Sequence, residues 1–413
     1  MSAHIQLPQT CHFQELAQCL SRATRSCNSS SEIIVCVPQK CHIPPAGLSV
    51  LGAWTQHHAA LGRRVRFTAD GAAMNSRLRY MARMNLPALA GDDVEEDFER
   101  HPEAGRFLPL HSIRDTKDCW KVICALGDMI LHQFENSRQF FPALEWAVNE
   151  VMDNVHIHSE SKTPGVVYAQ YYPTKNSLEV GICDMGRGIL NSLQEAIPDL
   201  GSDHEAISKA LLRGVTRNPE IGQGNGLAGT LDVARANRGT FYLWSGRTCW
   251  RMGSGVEKQA VDLDPVIGTA IHLRMDVRNP VDLGQTFIGA GLMDPNDSTF
   301  LNAVEEIAVR EGIQVRSECD HVGSRIPATA LRRKVEAILA GVEQGKIILD
   351  FTGVTGASSS FLDELLGRLV VRMGSKNFGR RLAIVGLAPE LRQMADVVVK
   401  QRLEFENGVQ PSS

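Results

Sequence analysis

Residues 143–159 read Ala-Leu-Glu-Trp-Ala-Val-Asn-Glu-Val-Met-Asp-Asn-Val-His-Ile-His-Ser, and the reading of the whole chain turns on this stretch. Leu144, Val148, Val151 and Val155 recur at three- and four-residue intervals, the period of one apolar helix face. Glu150, Asn154 and His158 fall four apart and stack along a second face. A carboxylate one turn from a carboxamide can place a general base beside an oxygen ligand for Mg²⁺. The same polar stripe also suits a solvated helix face, so its meaning depends on its neighbours.

Two glycine-bearing segments follow. Residues 180–189 read Val-Gly-Ile-Cys-Asp-Met-Gly-Arg-Gly-Ile, an apolar strand that ends in Asp184 and the alternating Gly186 and Gly188. A buried carboxylate there can accept a hydrogen bond from an adenine amino group, and glycines let the backbone approach the ring. Asp-x-Gly is also an ordinary exit from strand to turn. Residues 222–230, Gly-Gln-Gly-Asn-Gly-Leu-Ala-Gly-Thr, open a helix. Such glycines free consecutive N–H groups to face phosphate oxygens at a helix N-terminus. No Lys-Ser/Thr pair follows, so this is not a Walker A loop. The polar loop ahead of it excludes a dinucleotide-binding fingerprint, which needs a strand there.

A chain of 413 residues exceeds one ordinary domain and suggests two or three. With 43% hydrophobic and 22% charged residues it belongs with packed proteins rather than disordered ones. The net charge of -4 gives no indication of a nucleic-acid partner. No apolar run approaches the roughly 18 residues that span a bilayer, and the first residues lack a signal-peptide layout. Ten cysteines include no Cys-x-x-Cys pair; Cys11, Cys19 and Cys27 recur every eight residues, and Cys36 and Cys41 follow. A metal cluster is one reading of that series. Reduced thiols in a cytoplasmic protein are the preferred one.

Periodicity divides the chain into three parts. Residues 1–110 alternate strand (32–37), helix (45–61), strand (64–68) and helix (74–84), a small α/β domain, before an acidic connector at 92–99. Residues 111–280 place helices (118–135, 141–158) ahead of strands (166–172, 177–183, 240–244, 268–275), with a helix at 227–237. Helices first and strands later predict an α+β sandwich rather than a doubly wound sheet. Asn279-Pro280 and the turn residues 294–297 mark the next junction. Residues 281–413 then predict helices at 300–310 and 328–340, a strand at 346–351, a helix at 359–372, a strand at 381–385 and a terminal helix. The fold class is therefore multidomain α+β and α/β, with outer parts alike in layout but without a demonstrable repeat.

Taken together with Gly268-Thr269 on a late strand, the three central segments resemble the N-box, the two G-boxes and the closing Gly-Thr of the GHKL ATPase family, the group of gyrase, sensor histidine kinases and MutL. The resemblance spans residues 145–269. It implies a GHKL (Bergerat) α/β sandwich that binds ATP and Mg²⁺. By that resemblance Glu150 is the general base that orients water or a serine hydroxyl, and Asn154 holds Mg²⁺. Asp184 reads the adenine amino group, supported by Thr269 through a water, and Gly186 and Gly188 lie along the nucleotide. Gly222, Gly224, Asn225, Gly226 and Leu227 form the phosphate loop. Residues 189–221 become a mobile lid, in which Arg213 and Arg217 are either phosphate contacts or solvated surface. One departure is the helix ahead of this part. It carries only His132, followed by Gln133 and Phe134, where a sensor kinase has a phospho-accepting His-Glu, so an ordinary histidine is the preferred reading. No transducer-like domain is recognisable after Met275.

Residues 347–362, Ile-Ile-Leu-Asp-Phe-Thr-Gly-Val-Thr-Gly-Ala-Ser-Ser-Ser-Phe-Leu, with Gly323-Ser324-Arg325 ahead of them, look like a STAS-like domain. That family includes anti-anti-sigma factors, whose helix-start serine is phosphorylated by a GHKL serine kinase. Ser359 matches that serine by position, and phosphate at a helix N-terminus is favourably placed. Residues 358–360 equally read as an N-cap run. Ser358 stands where those factors carry Asp, which departs from the pattern. Residues 75–84 resemble a diverged module of the same kind more weakly. Three functions are open: a regulator whose slow ATP hydrolysis changes how STAS-like domains meet partners, a serine kinase acting on Ser359 or another chain, and a nucleotide-binding scaffold without turnover. The first is preferred. A protein partner or a homodimer follows by fold-level analogy.

Overall fold

The computed structural model describes residues 2–11, 13–27, 30–70, 75–92, 99, 105–130, 133–134, 137–217, 226–253, 256–261, 263–283, 286, 311–319, 322–323, 325–341, 346–354 and 356–406. The chain forms two compact units. One comprises Met1–Phe141, Val151–Arg217 and Ala234–Pro280; the other comprises Pro142–Glu150, Asn218–Val233 and Val281–Ser413.

The elements of the first unit, in chain order, are β1 (Ser2–Gln6), α1 (Phe13–Ser26), β2 (Glu32–Val37), α2 (Pro45–Ala60), β3 (Arg64–Ala69), α3 (Ser76–Arg83), β4 (Phe107–Ile113), α4 (Thr116–Ile130), α5 (Ser137–His158), β5 (Gly165–Tyr172), β6 (Ser177–Asp184), α6 (Gly188–Leu193), α7 (Asp203–Ala210), α8 (Gly226–Ala236), β7 (Thr240–Gly246), β8 (Thr248–Gly253), β9 (Val256–Ala260) and β10 (Val266–Asp276). Helices α5 and α8 contribute residues to both units. Strands β1-β2-β3 make a small parallel sheet, and seven antiparallel strands make a larger one in the order β4-β5-β6-β10-β7-β8-β9. Helix α2 explains how they share a core. It is apolar nearly all round, as a helix covered on every side must be, and its residues from Pro45 through Thr55 are all buried. It lies on β5 and β6, where Ser49 Oγ donates to the Gly181 carbonyl oxygen at 2.7 Å. Leu48, Leu51 and Trp54 of α2 join Tyr168, Cys183, Trp244 and Ala270 of the large sheet in one apolar cluster.

The second unit continues with β11 (Glu311–Gln314), α9 (Val315–Glu318), α10 (Arg325–Gly341), β12 (Ile347–Asp350), α11 (Ser359–Leu362), a π-helical turn (Asp363–Gly367), α12 (Arg368–Met373), α13 (Ser375–Arg381), β13 (Leu382–Val385) and α14 (Pro389–Glu406). Its strands form a parallel sheet in the order β11-β12-β13. The π turn buries two carboxylates, and each is paired with guanidinium groups as a buried charge requires. Asp363 accepts from Arg402 Nε at 2.9 Å, Glu364 accepts from Arg332 Nη2 at 3.0 Å, and Glu364 is ion-paired with Arg368 at 2.7 Å.

The protein is thus mixed α/β with several sheets. The expected strands at 32–37, 64–68, 166–172, 177–183, 240–244, 268–275, 346–351 and 381–385 all form, within two residues at their ends. Strands β1, β4, β8, β9 and β11 and helix α1 are additional. The expected helix at 359–372 forms as α11, the π turn and α12 in succession. Outside the described residues lie the expected helix at 300–310, the turn at 294–297, most of the 92–99 connector, His132 and Ser324. Among the described residues no helix is long and apolar enough to cross a membrane.

Candidate functional site

In the first unit the anchor is Asp184, the last residue of β6 and only 3% exposed. Its carboxyl accepts the backbone N–H of Gly186 at 2.8 Å, and Thr269, its register partner on β10, supplies a second backbone N–H. Burial pushes this carboxyl up to about 7, while the two N–H groups draw it the other way. Two main-chain donors leave a carboxylate with acceptor capacity for a third. The crossing at Gly268 is tight: its φ is +77°, and a Cβ there would stand 2.1 Å from the Asp184 carbonyl oxygen. Only glycine fits both demands. Ser245 on β7 closes the cluster, donating to the Gly268 carbonyl oxygen at 3.1 Å and accepting the Ile189 N–H at 2.9 Å. Through it, the Gly188 end of α6 is tied to β7 and β10. The Arg187 N–H donates to the Ser159 carbonyl oxygen at 2.8 Å, which ties the same loop to the end of α5.

Asn154 is half-buried on α5, and its Nδ2 is buried without a hydrogen-bond partner among the described residues. A buried amide in that condition fits a ligand able to satisfy it, such as a cation for the oxygen with phosphate oxygens for the nitrogen. Among the described residues no group of three His, Cys, Asp or Glu side chains could hold a metal. Mg²⁺ does not ask for one, since it is commonly held by one or two protein oxygens together with phosphates. Arg217 is engaged elsewhere: it pairs with Glu160 at 2.5 Å and Glu195 at 3.5 Å, and Arg187 meets the same two carboxylates. The segment expected as a lid contains α6 and α7, which pack together.

In the second unit the loop after β12 lies on the α5 residues of that unit. A Cβ on Gly356 would fall 2.2 Å from Glu145 Oε2. Glu145 is 8% exposed, and burial pushes it up to about 7. About one and a half turns further along α5 the contact becomes chemical: Ser359 Oγ donates to Glu150 Oε1. Burial raises Glu150 above the ordinary carboxylate range, opposed by that hydrogen bond and by the Arg325 charge. Ser358 is the N-cap of α11, its Oγ accepting the Phe361 N–H at 3.0 Å. Ser359 is therefore released from capping and turned to the carboxylate. Gly226 and Leu227 open α8, packed on α5 through Thr230, whose Oγ1 lies 3.5 Å from the Ala147 carbonyl oxygen.

The expected site residues thus fall into two groups. Asp184, Gly186, Gly188 and Thr269 gather at the ends of β6 and β10 in the first unit, which also holds Asn154. Glu150 and Ser359 meet in the second. Gly222, Gly224 and Asn225 lie outside the described residues. Sequence reading missed Ser245, Glu145 and Gly356. Ser245 offers only a polar residue near the end of a strand, and its partner is set by register with β10.

The C-terminal strands β11, β12 and β13 form a small parallel α/β fold. Residues 328–392 match the family described as a STAS-like domain of unknown function (DUF4325). No ATPase domain of the GHKL type is detected. No curated protein matches the chain.

Proposed function

We propose that the chain is a cytoplasmic Mg-ATP-dependent regulator that phosphorylates Ser359 of its own STAS-like domain. The observation that carries this is the hydrogen bond from Ser359 Oγ to the buried Glu150 carboxylate. A carboxylate raised by burial is a stronger base than an exposed one, and a hydroxyl already bonded to it has its proton aimed along the transfer path. Glu150 would take that proton as the serine oxygen bonds to the γ-phosphorus, the bond to the β-phosphate oxygen breaks and ADP leaves. Asp184 would accept a hydrogen bond from the adenine amino group, and Asn154 would hold the metal through its carboxamide oxygen. Gly222, Gly224, Asn225, Gly226 and Leu227 belong to the phosphate loop in this reading. Mg-ATP, when bound, supplies the phosphoryl group and the metal charge that offsets its oxygens.

This reading takes residues 111–280 as a GHKL-like sandwich, between a weakly STAS-like N-terminal part (1–110) and a C-terminal STAS-like part (281–413). The new phosphate would change how the STAS-like domain meets a protein partner or a second copy of the chain. The test is incubation of the full chain with Mg²⁺ and ATP labelled on the γ-phosphate. Acid-stable label on the protein, absent in Ser359→Ala, supports the kinase. Label released as free phosphate, equally in wild type and Ser359→Ala but lost in Glu150→Ala, would overturn it and make the chain an ATPase.

A further inference from the structure

The cysteine series in the N-terminal part has no role in that chemistry, and its placement is specific. The short backbone bridge between Thr10 and His42 brings two of its members together: the Cys11 N–H donates to the His42 carbonyl oxygen at 2.8 Å, and the His42 N–H donates to the Gln9 carbonyl oxygen at 3.0 Å. Cys11 Sγ and Cys41 Sγ stand 3.4 Å apart, both almost fully buried. Among the described residues no disulfide forms. The two sulfurs are inequivalent. Cys41 lines a cavity of about 170 Å³ whose walls also carry Arg77, Tyr80, Gln170 and Tyr172. Cys11 stays behind it, with the Pro8 carbonyl oxygen at 3.2 Å from its sulfur.

We propose that Cys41 and Cys11 are a redox-active thiol pair, in which Cys41 reacts with hydrogen peroxide entering the cavity and Cys11 resolves the product as a disulfide. Three observations carry it. Cys41, and not Cys11, is among the residues that line the cavity. Its lining supplies a cation and hydroxyl groups, with Tyr172 Oη donating to Gln170 Oε1 at 3.0 Å, which suits a small polar oxidant better than an apolar one. The second sulfur is already in contact, and closing from 3.4 Å to a bond of about 2.05 Å is within the reach of side-chain rotation. The electrostatics agree: the Cys11 hydrogen bond and the Arg77 charge hold Cys41 below the ordinary thiol value against its burial, whereas that hydrogen bond and burial push Cys11 up.

The chemistry balances. The Cys41 thiolate attacks one peroxide oxygen, the O–O bond breaks, and with one proton the leaving oxygen departs as water, giving the sulfenic acid. The Cys11 thiol then attacks that sulfur, an S–S bond forms, the S–O bond breaks, and the hydroxyl leaves with the Cys11 proton as a second water. The two sulfurs lose two electrons in all, and the peroxide gains them.

The test uses the full-length reduced protein with hydrogen peroxide, followed by alkylation and peptide mass spectrometry. A Cys11–Cys41 linkage that forms faster than exposed Cys124 oxidises, and that dithiothreitol reverses, is the expected result. Cys11→Ser should trap a sulfenic acid on Cys41 that a cyclic diketone captures. Arg77→Met leaves both sulfurs in place and should slow oxidation about tenfold. Oxidation of Cys41 no faster than that of Cys124, or no loss of rate in a folded Arg77→Met, would overturn the proposal.

Discussion

The two units each bury a carboxylate, and they satisfy it differently. Asp184 is held by main-chain donors, the N–H groups of Gly186 and Thr269, so its position belongs to the sheet itself. Glu150 is met by a side chain, the hydroxyl of Ser359, and by the nearby Arg325 charge. A carboxylate pinned by backbone suits recognition, because no side-chain motion releases it. One facing a hydroxyl suits proton transfer, because its partner is the group that would react. The proposed function makes Asp184 a binding carboxylate and Glu150 a working one, and substitutions can test that separation.

The largest effect is expected at Glu150. Glu150→Gln keeps shape and hydrogen-bonding capacity but not basicity, so phosphoryl transfer should fall by roughly 10²- to 10⁴-fold. ATP affinity, followed by calorimetry, should stay within a few-fold of wild type. Transfer at the normal rate would remove Glu150 as the base. Asp184→Asn should act the other way, weakening ATP binding by roughly 10- to 100-fold through loss of a charged acceptor. Unchanged affinity would detach Asp184 from the nucleotide.

A third carboxylate sharpens the comparison through pH. Burial raises Glu145 from its ordinary 4.5 to about 7. Between those values the folded state keeps the proton that the unfolded chain has released, so this group costs stability progressively as pH rises through that window, and in full above it. Glu145→Gln removes the cost. Relative to wild type it should gain on the order of 1 kcal/mol between pH 5 and pH 8 in urea unfolding. An equal difference at both pH values would mean that the carboxyl titrates normally.

The smallest effect, a loss of stability with transfer kept, is expected at Ser358, and it separates the adjacent serines. Ser358→Ala loses the cap on the Phe361 N–H and should cost about 1 kcal/mol while leaving label transfer in place. Ser359→Ala keeps the cap and should abolish transfer. Transfer lost in Ser358→Ala, with the protein still folded, would reassign the acceptor.

Much of this was legible in the chain. The helix carrying Glu150 and Asn154, the strand ending in Asp184 and the C-terminal α/β layout all follow from local periodicity, which is where sequence carries most weight. What escaped is set by distant partners. Strand β9, Val-Glu-Lys-Gln-Ala, is an edge strand with most of its residues exposed, so it shows no apolar alternation. Strand β4 sits where one expected domain ended, and only pairing with β5 assigns it to the large sheet. Ser245 matters through its register with β10 and the bulge there, which no local pattern encodes. In the Ser358–Ser360 run composition could not tell the capping serine from the one facing Glu150. The backbone at the start of α11 makes that choice.

The most direct measurement is site mapping. Full-length protein incubated with Mg-ATP, digested and sequenced by tandem mass spectrometry should carry one phosphate on Ser359, absent in Glu150→Gln. Phosphate on Ser358 or Ser360 instead, or none while ATP is demonstrably bound, would contradict the pairing of Ser359 with Glu150 as a reacting pair.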